Sequence, residues 1–243
     1  MVDRPEIAKI HDEGFARTRF FWVRHAPVRD DGGRIYGQRD LSCDCSDGHV
    51  FDALARVLPR DAVWVASNLR RTHETARAIW AADRNKFAGV SFEEIAELAE
   101  QNLGDWQGLD RAEFFANRKS TPGSFWFAPA EEPAPGGESF ADLVARVRNA
   151  IVGVIEAHRG RDIIAVTHGG TIRAAITVAL HLQPQAGLAF ATDNCAITGL
   201  DFYEGEGGRG WRVVTINHQP WEGLAEAQPA GPEIARPEHQ KLA

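Results

Sequence analysis

Two apolar runs, far apart in the chain, each end on a histidine: Arg19-Phe20-Phe21-Trp22-Val23-Arg24-His25 and Asp162-Ile163-Ile164-Ala165-Val166-Thr167-His168-Gly169-Gly170. Short stretches of β-branched and aromatic residues without polar alternation read as strands buried on both faces, which occur in mostly parallel sheets flanked by helices. Each histidine then falls at the C-terminal end of a strand. In open α/β sheets that edge is where ligands bind, so the two imidazoles are expected in one crevice.

A third strand end adds positive charge. The run Ala62-Val63-Trp64-Val65-Ala66 leads into Ser67-Asn68-Leu69-Arg70-Arg71-Thr72, which reads as the start of a helix. Arg24 and Arg71 thus both point to the crevice. Guanidinium forks match the oxygens of a phosphoryl group bidentately, and the first N–H groups of a helix add anion-binding donors. The expected ligand is a small phosphorylated molecule.

Four ordered boxes carry a resemblance. They are R-H at Arg24-His25, S-x-L-x-R-x-x-x-T-A from Ser67 to Ala76, E-x-x-x-G-x-W-x-G from Glu100 to Gly108, and T-H-G-G from Thr167 to Gly170. Weaker echoes lie at Gly136-Gly137-Glu138-Ser139 and from Asn194 to Leu200. The sequence resembles the histidine phosphatase superfamily, also called phosphoglycerate mutase-like. The resemblance implies an α/β fold with a mostly parallel central sheet and helices on both faces. It also implies phosphoester hydrolysis through a phosphohistidine, without metal or cofactor.

On that resemblance His25 is the expected nucleophile. Arg24, Arg71 and any charge on His168 would disfavour its protonation and hold the phosphoryl oxygens. Glu100 is the expected acid and then base, by its spacing to Gly104 and Trp106; Glu97 competes for the role, and the residues alone do not decide between them. Gly169 lets the backbone after His168 approach a phosphate oxygen, extending the substrate-binding set of Arg24, Arg71 and His168. Tyr36 and Gly37 correspond to a loop lining the substrate side.

The chain departs from its family in two places. Ala26-Pro27-Val28 follow the first histidine, with Asp30 and Asp31 where relatives carry a phosphate-binding asparagine. Arg34, Arg39 or backbone groups are expected to replace that contact. Leu103 stands where glycolytic mutases carry a tyrosine, although Arg111, Arg118 and Lys119 retain some positive charge. Hydrolysis is therefore expected over mutation, the alternatives being a phosphoglycerate-type mutase and a noncatalytic phospho-ligand sensor. The R-H-x-x-V and Y-G-Q-x-D pattern resembles a branch containing α-ribazole phosphatases.

Composition excludes several other roles. The formal charge of −7 disfavours nucleic acid and anionic membranes as partners. No apolar run approaches the roughly 18 residues of a membrane span, and the first residues lack a secretory h-region; a cytoplasmic monomer or homodimer is expected. Cys43, Cys45 and Cys195 do not make a disulfide framework. Cys43-x-Cys45 with His49 lacks the second half of a zinc site.

Strands are expected at 19–24, 62–66, 162–167, 194–203 and 210–217, the last two forming an edge hairpin around a glycine-rich turn. Helices are expected at 46–58, 69–82, 109–118, 139–158 and 171–182. Residues 1–221 read as one domain with an insertion at 119–137, whose Phe125-Trp126-Phe127 is either a lid or core beneath a loop. Residues 222–243 read as a disordered tail. His73 reads as surface or as support behind the site, and Arg173 as a structural pairing.

Overall fold

The computed structural model describes residues 14–118 and 125–222. Its centre is a six-stranded sheet of β1 (Phe15–Arg24), β2 (Val63–Ala66), β3 (Phe92–Glu94), β4 (Asp162–Thr167), β5 (Ile197–Gly205) and β6 (Gly208–His218), in the order β3-β2-β4-β1-β5-β6. The pairings β1–β4, β2–β4 and β2–β3 are parallel, whereas β5 runs against both β1 and β6. The expected mostly parallel sheet with a C-terminal hairpin is the observed one. The hairpin closes at Gly205 and Gly208.

Helices α1 (Gly48–Val57) and α2 (Arg70–Ala82) share one core cluster, and α4 (Phe140–Ala157) and α5 (Gly169–Ala179) share the other. Alternation along the strands sorts the side chains. Phe20, Trp22, Ile163 and Ala165 face α4 and α5, while Val23, Ile164, Val166 and Trp64 face α1 and α2. Both faces of the central strands are therefore buried, which is why they read as unbroken apolar runs. The short α3 (Arg111–Asn117) and α6 (Pro184–Gly187) complete the α-helices of the described residues.

Local signals set the helix ends. Ser139 caps α4 in a reciprocal capping box with Asp142, its hydroxyl accepting from Asp142 N at 3.0 Å. Helix α5 begins two residues earlier than the pattern suggested, with His168 at its N-cap. Strand β3 was not anticipated: it is three residues long, sits at the sheet edge and exposes both glutamates, so it carries no apolar signature. The proposed tail, apart from Glu222, and residues 119–124 of the insertion lie outside the described residues.

Candidate active site

Three parallel strands deliver the site. β1 ends at Arg24 with His25 next, β4 ends at Thr167 with His168 next, and β2 passes through Ser67 into α2, which carries Arg71. His25, Arg71 and His168 are almost wholly buried, at 1% exposure or less. The two imidazole rings stand 5.2 Å apart.

Hydrogen bonds define different tautomers for these rings. His25 Nδ1 lies 2.7 Å from the carbonyl of Ala26. A carbonyl can only accept, so Nδ1 carries the proton and Nε2 keeps its lone pair. His168 is the reverse: Arg71 Nε donates to its Nδ1 at 3.2 Å, and its Nε2–H donates to Ser67 Oγ at 2.7 Å. Burial first, then the Arg71 and Arg24 charges, hold His25 well below the ordinary value of 6.5. Burial and the same cations, with Arg71 ahead of His25 and Arg24, do so for His168. The charge allowed for on His168 is thus absent.

Arg71 has its remaining nitrogens directed by a loop. Nη1 donates to the Arg39 carbonyl at 2.8 Å and Nη2 to the Gly37 carbonyl at 2.7 Å, and the guanidinium lies 5.2 Å from the centre of the Tyr36 ring. Tyr36 and Gly37 therefore position Arg71 as well as lining the pocket. Arg24 Nη1 donates to the Thr192 carbonyl at 2.6 Å.

Glu100, and not Glu97, reaches the site. Glu100 is 8% exposed and lines the pocket, its Oε1 accepting from Gln101 N at 2.9 Å and its Oε2 from Gly170 N at 3.2 Å. Glu97 is exposed on a single 3-10 turn, Ala96–Leu98. Gly170 is required by this approach, because a Cβ there would collide with Glu100 Oε1 and come within 3.1 Å of Trp126 Cζ2. The backbone of Glu100 is held by Arg146 Nη2 at 3.2 Å and Gln38 Nε2 at 2.7 Å, both donating to its carbonyl.

The pocket, of about 370 Å³, is lined by Arg24, Gly37, Glu100 and Gly169. Tyr36, Trp126, Phe127, Pro27, Val28 and the pair Asp31–Arg111 also line it. Arg111 Nη2 donates to Asp31 at 2.5 Å, which neutralises the carboxylate that would oppose a phosphate. Arg34 and Arg39, expected to replace the asparagine contact, do not line the pocket; Arg34 Nη1 is spent on the Gly108 carbonyl. Arg173, expected to be only structural, does line it. Its Nε donates to the Phe190 carbonyl at 2.7 Å, and its guanidinium lies 4.8 Å from the Trp126 ring centre.

The aromatic insertion divides its three residues. Phe125 is 64% exposed, Trp126 donates from Nε1 to Gln101 Oε1 at 2.6 Å, and Phe127 packs on Phe114 and Phe115. His73 lies behind the site, its Nε2 2.8 Å from the Ser67 carbonyl. Cys43 and Cys45 are free thiols with Sγ atoms 3.5 Å apart. No helix among the described residues is long and apolar enough to cross a membrane.

A buried imidazole kept unprotonated under the charges of two guanidiniums, at the ends of parallel strands and in a site whose pocket a carboxyl also lines, defines a class of enzyme that handles phosphoryl groups. Residues 20–219 match the sequence profile of the histidine phosphatase superfamily, branch 1, and the chain belongs to that family. In enzymatic class it is a phosphatase. It is 31% identical over 181 residues to a glucosyl-3-phosphoglycerate phosphatase of Mycobacterium tuberculosis, covering 69% of this chain and 77% of the relative. A metal-independent phosphoserine phosphatase of Arabidopsis thaliana is 30% identical over 162 residues, 65% of this chain and 66% of the relative. The solved structure of a mycobacterial glucosyl-3-phosphoglycerate phosphatase complexed with VO3 superposes with a TM-score of 0.67 at 28% identity, covering 84% of this chain and 99% of that one.

Proposed function

We propose that the protein hydrolyses phosphomonoesters of small metabolites through a phosphohistidine on His25. The observation that carries this reading is the tautomer. The Nδ1–H···O bond to Ala26 leaves Nε2 as the free nucleophilic atom. Nε2 attacks phosphorus and an N–P bond forms as the ester P–O bond breaks. Glu100, in its protonated form, gives its proton to the departing alkoxide. Water then attacks phosphorus, Glu100 takes the water's proton, and the N–P bond breaks to release inorganic phosphate and restore neutral His25. Arg24 and Arg71 hold the phosphoryl oxygens throughout. His168, with both nitrogens engaged by Ser67 and Arg71, acts by fixing Arg71.

Hydrolysis is favoured over a mutase cycle because Arg111 and Arg118, two of the cations that could seat a second phosphate, are already paired with carboxylates. Arg111 holds Asp31, Arg118 is bonded to Glu132, and Leu103 is buried in an apolar cluster. Among finer readings, α-ribazole 5′-phosphate would find an aromatic wall in Trp126 and Phe127, but its neutral ring system offers nothing anionic to Arg173. The reading is tested by rapid quenching with radioactive substrate in EDTA. An acid-labile, base-stable label should form on wild type and be missing from His25→Ala, with phosphate released by wild type alone. A label that persists in the variant removes His25 from the role, and redistribution without release makes the protein a mutase.

A further inference from the structure

Three polar atoms from separate segments converge beside the first residue of α5. A Cβ placed on Gly169 would lie 3.1 Å from Thr192 Oγ1, 3.3 Å from Arg173 Nη1 and 3.4 Å from Arg24 Nε. Two of these are costly to leave as they are. Thr192 is 5% exposed, and both its Oγ1 and Arg24 Nε are buried with no hydrogen-bond partner among the described residues. Burying such a group unpaired costs about 1–3 kcal/mol.

The surroundings hold these atoms in place without satisfying them. Arg24 is anchored through Nη1 on the Thr192 carbonyl, and Arg173 through Nε on the Phe190 carbonyl. The segment carrying Thr192 is itself tied down, since Asp193 N donates to Asn217 Oδ1 at 2.6 Å and Asn194 Nδ2 donates to the His25 carbonyl at 2.7 Å. Two guanidiniums and the first N–H groups of an eleven-residue helix give the corner a positive field, with Glu100 and Asp193 the carboxylates that act on Arg173. A hydroxyl donor in a cationic corner suits an oxyanion. The stretch after His25 offers no such group: Pro27 and Val28 are apolar, and Asp31 is taken by Arg111.

Resting on the phosphomonoesterase reading, we propose that Thr192 Oγ1, Arg24 Nε and Arg173 Nη1 form an oxyanion subsite at Gly169 that binds an anionic oxygen of the substrate. That oxygen belongs either to the transferred phosphoryl group or to a carboxylate on the leaving group. In the first case Thr192 supplies the phosphate donor missing from the loop after His25.

The full chain is compared with Thr192→Val, Thr192→Ser and Gly169→Ala, each checked by circular dichroism. Inhibition of p-nitrophenyl phosphate turnover by orthovanadate and inorganic phosphate reads the phosphoryl source. The ratio of kcat/KM for O-phosphoserine against O-phosphoethanolamine, which differ by a carboxylate, reads the leaving-group source. Thr192→Val should weaken one of the two by about tenfold, the size of a hydrogen bond to a charged group; Thr192→Ser should retain it, and the Gly169→Ala methyl should mimic the loss. If Thr192→Val stays within twofold of wild type on both, or Thr192→Ser loses as much as Thr192→Val, the subsite is refuted. Failure of the phosphatase reading is separate: wild type would then not turn over p-nitrophenyl phosphate, while calorimetric binding of inorganic phosphate would still report on Thr192.

Discussion

Replacing Arg146 by methionine should both destabilise the fold and weaken catalysis selectively. Arg146 projects from α4 across the segment that presents Glu100. Its Nη1 donates to the carbonyls of Glu97 and Ala99 at 2.6 and 3.1 Å, and its Nη2 to that of Glu100 at 3.2 Å. The same guanidinium grips both oxygens of Glu138 at 3.2 and 2.5 Å, with side-chain exposures of only 22% and 17%. Methionine fills similar volume and donates nothing, so Glu138 keeps only Asn102 N and the three carbonyls lose a donor. Breaking a largely buried pair costs about 3–5 kcal/mol. The partial exposure places this one near the lower end, and at about 2–4 °C per kcal/mol the melting temperature should fall by about 6–12 °C. Because Glu100 then rests on Gln38 alone at its carbonyl, turnover of an alkyl phosphate should drop by about tenfold, well short of the hundredfold that a 1 Å misplacement can bring. With p-nitrophenyl phosphate, whose leaving group needs little protonation, the loss should be smaller. Denaturant titration and single-turnover kinetics on both substrates decide the matter. A loss of stability below about 1 kcal/mol would show that the buckle is energetically slack, and an equal kinetic loss on both substrates would show that it does not position the acid.

Glu100→Gln should reduce alkyl phosphate turnover by about 10²- to 10⁴-fold, the range for lost general acid catalysis, and phosphorylation by p-nitrophenyl phosphate less; identical losses in single turnover would remove Glu100 from the role. The pH dependence of stability has a definite sign. His25 and His168 are held well below 6.5 in the folded chain, so below that pH the unfolded chain binds more protons and stability falls as pH is lowered, by up to about 1.4 kcal/mol per pH unit for each ring. Urea midpoints between pH 7.5 and 5 should show this, with a shallower slope in His25→Asn; matching slopes would mean that burial does not hold His25 neutral.

Much of the site is legible in the sequence because the strands that carry it are covered on both faces. Phe20 to Val23 and Ile163 to Val166 must be apolar throughout, so the abrupt change to Arg24-His25 and Thr167-His168 marks the sheet edge without ambiguity. The rest depends on tertiary geometry. Glu100 and Glu97 are chemically alike and three residues apart; only the turn at Ala96–Leu98 sends one to the surface and the other to Gly170. Arg173 sits one helical turn beyond Gly169, a position whose direction is unreadable until α5 has docked on the sheet. Thr192 looks like any loop threonine until the loop is seen to cross Arg24. Strand β3 escaped because an edge strand of three residues leaves no pattern to find.

The glycine pair and the tautomers together explain why the cations and the histidines must come as a set. A phosphoryl group needs concentrated positive charge, but a protonated imidazole has no lone pair with which to attack it. The structure places the fixed charge that acts on His25 on Arg71 and Arg24, whose guanidiniums keep their protons, and buries both imidazoles so that neither gains one. The same guanidiniums that attract the phosphoryl oxygens thereby keep His25 nucleophilic. Arg71 can serve in this way only because His168 offers Nδ1 as an acceptor, which in turn requires Ser67 to take the proton on Nε2. The chain from Ser67 to His168 to Arg71 thus fixes the charge that acts on His25, and α5 can bring Glu100 against the same floor only where Gly170 has no side chain.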